Sequence, residues 1–349
     1  MPYRDEMNIQ THIRIILQQL LIVFESVKFM KDAADTSQPQ SPNDQYPSQT
    51  NHNGHLTSEE PLSVNWTITT VCNYECRFCF ARFPEIKISL SAEEMRQVPP
   101  MLRDAGCDKL TFVGGEPTLN RNLPDLLRIS KEAGLTTMIV TNGTMLNEHF
   151  MNENHEFIDW LSLSVDSQFE QIEKELGRGT GGHVQQTVDN ARLAREFGVR
   201  LKMNSVITKL NYMEDMSEFI LELKPERWKV FQVLEIDGQN DLSVGPLLLK
   251  DDEFEIFKCK HRSLIKKGLD VVFEDNDLMR GSYVMLDSLG RFFNNHEGGH
   301  DYGPSIFDVG VSKALEYVRW DVNKFVRRGG LYGWRTGPKC DTRCGSVNG

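Results

Sequence analysis

The stretch SVNWTITTVCNYECRFC, residues 63–79, decides how this chain is read. Its first half is apolar and β-branched, the signature of a buried strand. Directly behind it stand Cys72, Cys76 and Cys79, spaced CxxxCxxC. Thiolates at such spacing suit soft metals and iron–sulfur clusters. A structural zinc needs four closed ligands, so zinc here would require a histidine from elsewhere. The remaining alternative leaves the thiols with no ligand role. On a four-iron cluster, three cysteines leave one iron open to another ligand. The other cysteines are Cys107, Cys259, Cys340 and Cys344. An odd total in a chain of this size is no disulfide scaffold, and clustered thiols fit a reducing interior.

Outward from that loop, strand-like runs alternate with helical patterns. Strands are predicted at 64–69, 109–113, 136–140, 160–164, 201–207 and 228–234. Helices are predicted at 92–105, 122–133, 183–197 and 213–223. Such alternation gives an α/β fold with a parallel sheet, curled into a partial (β/α)6 TIM-like barrel with a C-terminal extension. Sites in this architecture gather at the C-terminal strand ends. There stand the cysteines, then GGEP (114–117), TNG (141–143), SVDS (164–167), KMNS (202–205) and the run from RWK (227–229) into QVLEIDG. Glycines let the backbone approach a ligand closely, and the glutamate can pair with an ammonium.

The chain has 349 residues and a net charge of −11. An acidic balance excludes the broad phosphate neutralisation that nucleic-acid polymers demand. A local basic pocket for one small anion remains compatible with it. Lys109, Lys202, Lys229 and Arg328 stand at strands or in a glycine-flanked late loop. A lysine inside a barrel is costly unless an anion meets it, so together they favour a phosphorylated substrate.

Residues 1–32 carry IRIILQQLLIVF, too short to span a bilayer. They read as an amphipathic segment that lies on a membrane or partner, or as an inert extension. Residues 33–60 are rich in Ser, Pro, Asn and Gln and read as a disordered linker. The barrel is expected over 61–240, a substrate-covering region over 241–335 and a flexible tail over 336–349. The expected location is cytoplasmic, with peripheral membrane association through the N-terminus.

CxxxCxxC with Phe78 before the third cysteine resembles the radical S-adenosylmethionine (SAM) enzymes. That resemblance implies a [4Fe-4S] cluster whose open iron holds SAM, an external one-electron reductant, and a 5′-deoxyadenosyl radical. It also implies SAM contacts at Phe78, Gly114, Gly115, Glu116, Asn142, Ser164 and Arg178. The stretches KLTFVGGEPTLN, LKMNSVITKLNYMEDM, PERWKVFQVLEIDGQN and FVRRGGLYGW narrow the likeness to the viperin-like group, over about 61–334. What this implies is a dehydratase of a nucleoside triphosphate (CTP, UTP or GTP). The radical removes the ribose 4′ hydrogen, the 3′ hydroxyl leaves as water with one more electron and a proton, and the 3′-deoxy-3′,4′-didehydro product serves antiviral defence. Lys109, Lys202, Asn204, Lys229 and Arg328 match triphosphate-binding positions, Asn65 a position near the nucleotide, and Tyr283 a tyrosine near the ribose. Departures are Val113 in place of a serine, the divergent NNHEGGHDYGP at 294–304, and a tail with a Cx₃C pair. Alternatives within reach of the residues are a GTP-cyclase-like radical SAM enzyme, a peptide maturase and a non-enzymatic iron–sulfur protein.

Overall fold

The structure is a computed structural model that describes residues 62–334. The expected N-terminal helix, the linker and the tail with Cys340 and Cys344 lie outside the described residues. Seven parallel neighbours come first: β1 (Leu62–Thr67), β2 (Cys107–Val113), β3 (Thr136–Thr141), β4 (Trp160–Ser164), β5 (Arg200–Ile207), β6 (Arg227–Gln232) and β7 (Asp270–Glu274). The intervening helices are α1 (Ala92–Asp104), α2 (Leu123–Glu132), α3 (Glu148–Asn154), α4 (Glu170–Leu176), α5 (His183–Glu196), α6 (Ser217–Leu223), α7 (Asp241–Val244) and α8 (Asp251–Lys266).

The C-terminal region contributes strands to the same sheet. It adds β7 beyond β6 and then crosses to the opposite edge. There β8 (Val284–Leu286) pairs parallel with β1, and β9 (Arg291–Asn294) and β10 (Asp301–Ser305) follow antiparallel. The result is one ten-stranded sheet ordered β10-β9-β8-β1-β2-β3-β4-β5-β6-β7. The chain ends this part in α9 (Val322–Arg327), which follows three short helices. Among the described residues no helix is long and apolar enough to cross a membrane.

Strand alternation splits the sheet chemically. One face carries Val64, Trp66, Leu110, Phe112, Leu161 and Leu163, packed with Leu102, Leu126 and Ala191 of the helices. Each buried side chain of this size contributes about 2 kcal/mol in removed apolar surface. The register puts Asn65 beside Thr111, Ser162 beside Lys202, and Asn204 beside Lys229. In-register residues of parallel strands share a face, so this second face is polar and cationic. Local signals agree with the elements. Ser91 and Glu94 form a reciprocal capping box that starts α1, with Glu94 N donating to Ser91 Oγ at 3.2 Å and Ser91 N to Glu94 Oε2 at 2.8 Å.

Candidate active site

The cysteine loop leaves β1 and is anchored on both sides. Gly115 N donates to Thr69 O at 2.8 Å, and Glu116 N to Val71 O at 2.8 Å. On the other side Glu75 N donates to Gly177 O at 3.2 Å and Arg77 N to Leu176 O at 2.8 Å. The loop thus lies between the GGEP turn after β2 and the C-terminal end of α4. Gly177 has φ +84°, and a Cβ there would stand 2.3 Å from Glu75 O, so close docking requires glycine.

Cys72, Cys76 and Cys79 are all free thiols, and Cys76 feels the charges of both others. Burial pushes the Cys76 thiol up to about 12 and raises Cys72 and Cys79 as well. Bound iron reverses that, since a coordinating thiol is deprotonated outright. Among the described residues no trio of His, Cys, Asp or Glu converges on a single ion. Three thiols on one loop, close enough for Cys76 to feel the other two, fit a cubane, which takes each sulfur on a different iron. Cys107 is no fourth ligand. It is buried at the start of β2 and its thiol donates to Lys109 O at 3.2 Å.

Around the thiols the strand ends are tied together. Glu116 is buried, and its Oε1 accepts from Thr118 N (3.0 Å), Thr118 Oγ1 (2.5 Å) and Thr141 Oγ1 (2.7 Å). Its Oε2 accepts only from Asn142 N, at 2.7 Å. A carboxylate offers about four acceptor positions, so Oε2 is the oxygen with capacity left for an ammonium. Asn142 Nδ2 donates to Asn73 Oδ1 of the cysteine loop at 2.8 Å. The Phe78 carbonyl accepts from Asn240 Nδ2 at 2.9 Å, and its ring centroid lies 5.5 Å from the Arg178 guanidinium.

Arg178 is buried and donates through Nε to Asp166 Oδ2 at 2.7 Å, with Glu173 Oε2 at 3.4 Å. Burial works against its charge, but Asp166, Cys76 and Glu173 outweigh it and hold the guanidinium ionised. Burial, and next the Asp166 charge, push Glu173 up. Ser164 is held through its carbonyl, which accepts from His183 Nε2 at 2.9 Å. That fixes the tautomer, so His183 Nδ1 accepts from Tyr74 OH at 3.2 Å. Tyr74 belongs to the cysteine loop. Burial, followed by the Arg178 charge, lowers His183 to about 3, so it is a neutral bridge.

The polar face of the sheet gathers Lys109, Lys202, Arg227, Lys229 and Arg328, all buried. Lys109 Nζ donates to Tyr332 OH at 2.9 Å. Lys229 pairs with Glu274 and donates to Tyr283 OH at 2.9 Å. Arg328 donates to Ser282 O and lies 3.6 Å from the Tyr283 ring centroid. Arg227 pairs with Asp270 at 2.5 Å. Burial first, then the neighbouring cations, pulls Lys109 down to about 7 and Lys202 well below its ordinary range. Burial also takes Lys229 down to about 7, against the Glu274 charge. On the same face Thr111 Oγ1, Ser162 Oγ and Asn204 Oδ1 are buried without a protein partner. Each such orphan costs about 1–3 kcal/mol. Orphaned acceptors and hydroxyls beside crowded cations suit a wall that meets a polar, anionic ligand. Asn65 sits on this face in register with Thr111 and Met285, half-buried.

Sequence reasoning missed Arg227, Glu274, Tyr332, Tyr74 and His183. Arg227 stood two residues before Lys229 in a run already singled out. Glu274 had no signal, because β7 lies past the last predicted strand.

Comparisons agree with this geometry. The radical SAM superfamily model matches residues 66–223. An S-adenosylmethionine-dependent nucleotide dehydratase of Flammeovirga pacifica is 40% identical over 78% of this chain and 96% of its own. One of Lacinutrix mariniflava is 39% identical over 80% of this chain, which spans 60% of that protein. One of Oncorhynchus mykiss is 37% identical over 79% and 82%. Among solved structures, Streptococcus suis SuiB bound to S-adenosylmethionine aligns with TM-score 0.55 at 20% identity, over 66% of this chain and 59% of that one. The native anSMEcpe chain with S-adenosylmethionine and a peptide aligns with TM-score 0.58 at 17% identity, over 74% and 81%. These two share the fold. Taken with the thiol loop and its anchors, the relatives place this chain in the radical SAM superfamily, among the viperin-like S-adenosylmethionine-dependent nucleotide dehydratases, enzymes of SAM and a [4Fe-4S] cluster.

Proposed function

We propose that the substrate is a nucleoside triphosphate, dehydrated to its 3′-deoxy-3′,4′-didehydro analogue. The observation that carries this reading is the buried cation wall of Lys109, Lys202, Arg227, Lys229 and Arg328 in a chain of net charge −11. Isolated buried cations are expensive, and a triphosphate supplies matching negative charge. Asn65 and Asn204 line the same face as partners for the sugar or phosphates.

Cys72, Cys76 and Cys79 would hold the cluster. Gly114, Gly115, Glu116, Asn142, Ser164, Arg178 and the Phe78 main chain would hold SAM. When both are bound and an external donor supplies an electron, they provide a 5′-deoxyadenosyl radical. The chain's own work is to bind and orient the nucleotide and to manage the proton on the departing 3′ oxygen. Tyr283 suits that last role, since burial keeps it a phenol and Lys229 and Arg328 flank it. A product without a 3′-hydroxyl cannot be extended by a polymerase, which supports a part in antiviral defence. The acidic balance speaks against a nucleic-acid polymer as partner, and the thiol site suits a reducing cytoplasm.

The segment at 294–304 folds into β9, β10 and their turn. His300 packs on Phe83 and Phe293, with centroids 5.2 and 4.7 Å away. Phe83 follows the cysteine loop by four residues, and we assign this hairpin the choice among CTP, UTP and GTP. The test is anaerobic incubation of cluster-loaded enzyme with SAM, dithionite and each triphosphate in turn. Mass spectrometry should find one nucleotide lighter by one water. SAM cleavage without any dehydrated nucleotide would overturn the substrate assignment.

A further inference from the structure

β7 ends on Glu274, which is fully buried. Its Oε1 forms an ion pair with Lys229 Nζ and lies 3.6 Å from Arg328 Nη1. Its Oε2 accepts a hydrogen bond from the Tyr283 hydroxyl. The Tyr283 oxygen in turn accepts from Lys229 Nζ at 2.9 Å. One carboxylate therefore touches two cations assigned to phosphate and the tyrosine assigned to the ribose.

A carboxylate in a wall meant for anions opposes the ligand. It must return something. Two properties account for it. The carboxylate fixes three long side chains in one geometry, which a charge-assisted network does well. It also supplies the opposite charge without which a buried lysine sheds its proton.

We propose that Glu274 is a positioning residue of the nucleotide site. It clamps Lys229, Arg328 and Tyr283 as one unit and keeps Lys229 protonated for the phosphates. The proposal rests on the triphosphate reading above. The groups acting on Lys229 are Glu274, Arg328 and Arg227, with the Tyr283 hydroxyl in contact and Lys202 nearby. The two arginines push its proton off, and Glu274 holds it on. A glutamine at this position keeps the shape and an acceptor for Tyr283 but removes the charge.

The experiment titrates inorganic triphosphate into cluster-loaded, SAM-bound enzyme by calorimetry across neutral pH. The unaltered chain should lose affinity as pH rises through about 7, where Lys229 and Lys109 give up their protons. In Glu274→Gln the loss should begin about one pH unit lower or more. At about pH 8 that makes binding roughly tenfold weaker than in the unaltered chain. Glu274→Asp is one methylene too short to reach both Lys229 and Tyr283. It should shift the limb the same way by less, and it carries the test if the glutamine variant does not fold. Variants whose limb coincides with that of the unaltered chain would overturn the role of Glu274 and leave the triphosphate site standing. No binding of inorganic triphosphate by the unaltered chain would instead sink the triphosphate reading, and this proposal with it.

Discussion

A methyl group added at Gly115 would stand 2.2 Å from the Val71 carbonyl oxygen and 2.9 Å from Cys72 N. Those are main-chain atoms at the root of the thiol loop, and they cannot yield without moving Cys72. Gly115→Ala is expected to fold but to lose most of its iron after reconstitution. Gly245→Ala, where a Cβ meets nothing within 4 Å, should load normally. Iron content per chain is the measurement. Across the site, Lys202→Met removes a buried amine that would meet the phosphates as an ammonium. It should raise the KM for the nucleotide by about tenfold to a hundredfold, the worth of one charge-assisted contact, with iron content unchanged. At this scale the chemistry was legible wherever it was local. CxxxCxxC and GGEP can be read as strings. Arg227 and Glu274 cannot, because they matter through register: Arg227 lies beside Lys202 across two strands, and Glu274 beside Phe231 at a sheet position no motif marks.

Elements came out of the sequence well where alternation and length were plain, and their ends were set by side chains. β1 is expected at 64–69 but stops at Thr67, because Thr69 turns the chain by accepting from Val71 N at 3.1 Å. The helix expected at 213–223 begins at Ser217. The preceding turn is held by Asn211 Oδ1, which accepts from Thr208 N at 2.6 Å, and Met216 N is taken by His261 Nε2 at 2.9 Å. The helices α3, α4, α7, α8 and α9 and the strands after β6 went unpredicted; β7 extends the sheet beyond β6, and β8, β9 and β10 return to its other edge. His183, the first residue of α5, joins that helix to both β4 and the cysteine loop. His183→Phe keeps a ring but abandons the Ser164 carbonyl and the Tyr74 hydroxyl. We expect a loss of about 1–3 kcal/mol in denaturant unfolding. Its folded pKa of about 3 lies below the ordinary 6.5, so its stabilisation is complete above about pH 6.5 and is lost as pH falls toward 3.

The described residues form a sheet with an apolar face packed by helices, and residues of the C-terminal region pack on its polar face. Phe325 and Trp334 cluster with Met138 and Trp160 over that face, and Tyr332 caps Lys109. Closing cations in this way has a cost that depends on pH. Lys109 and Lys229 titrate near 7 when folded and near 10.5 when not. Between those values the unfolded chain binds more protons, so stability rises with pH. Melting of the ligand-free chain should therefore move upward from about pH 7 to about pH 9. Above about 9 the buried Cys107 thiol, pushed up to about 12, begins to act the other way. A melting temperature flat across that range would show that the lysines are not desolvated.

If the thiol loop and the cation wall form one active site, a phosphorylated nucleotide governs what happens at the cluster. The direct measurement is the rate of 5′-deoxyadenosine formation from SAM by anaerobic, cluster-loaded enzyme, with each nucleoside triphosphate and with the matching unphosphorylated nucleoside. One triphosphate should accelerate SAM cleavage strongly while its nucleoside does not, and Lys202→Met should shrink the difference at sub-saturating nucleotide. Equal rates with triphosphate, nucleoside and neither would contradict a single active site.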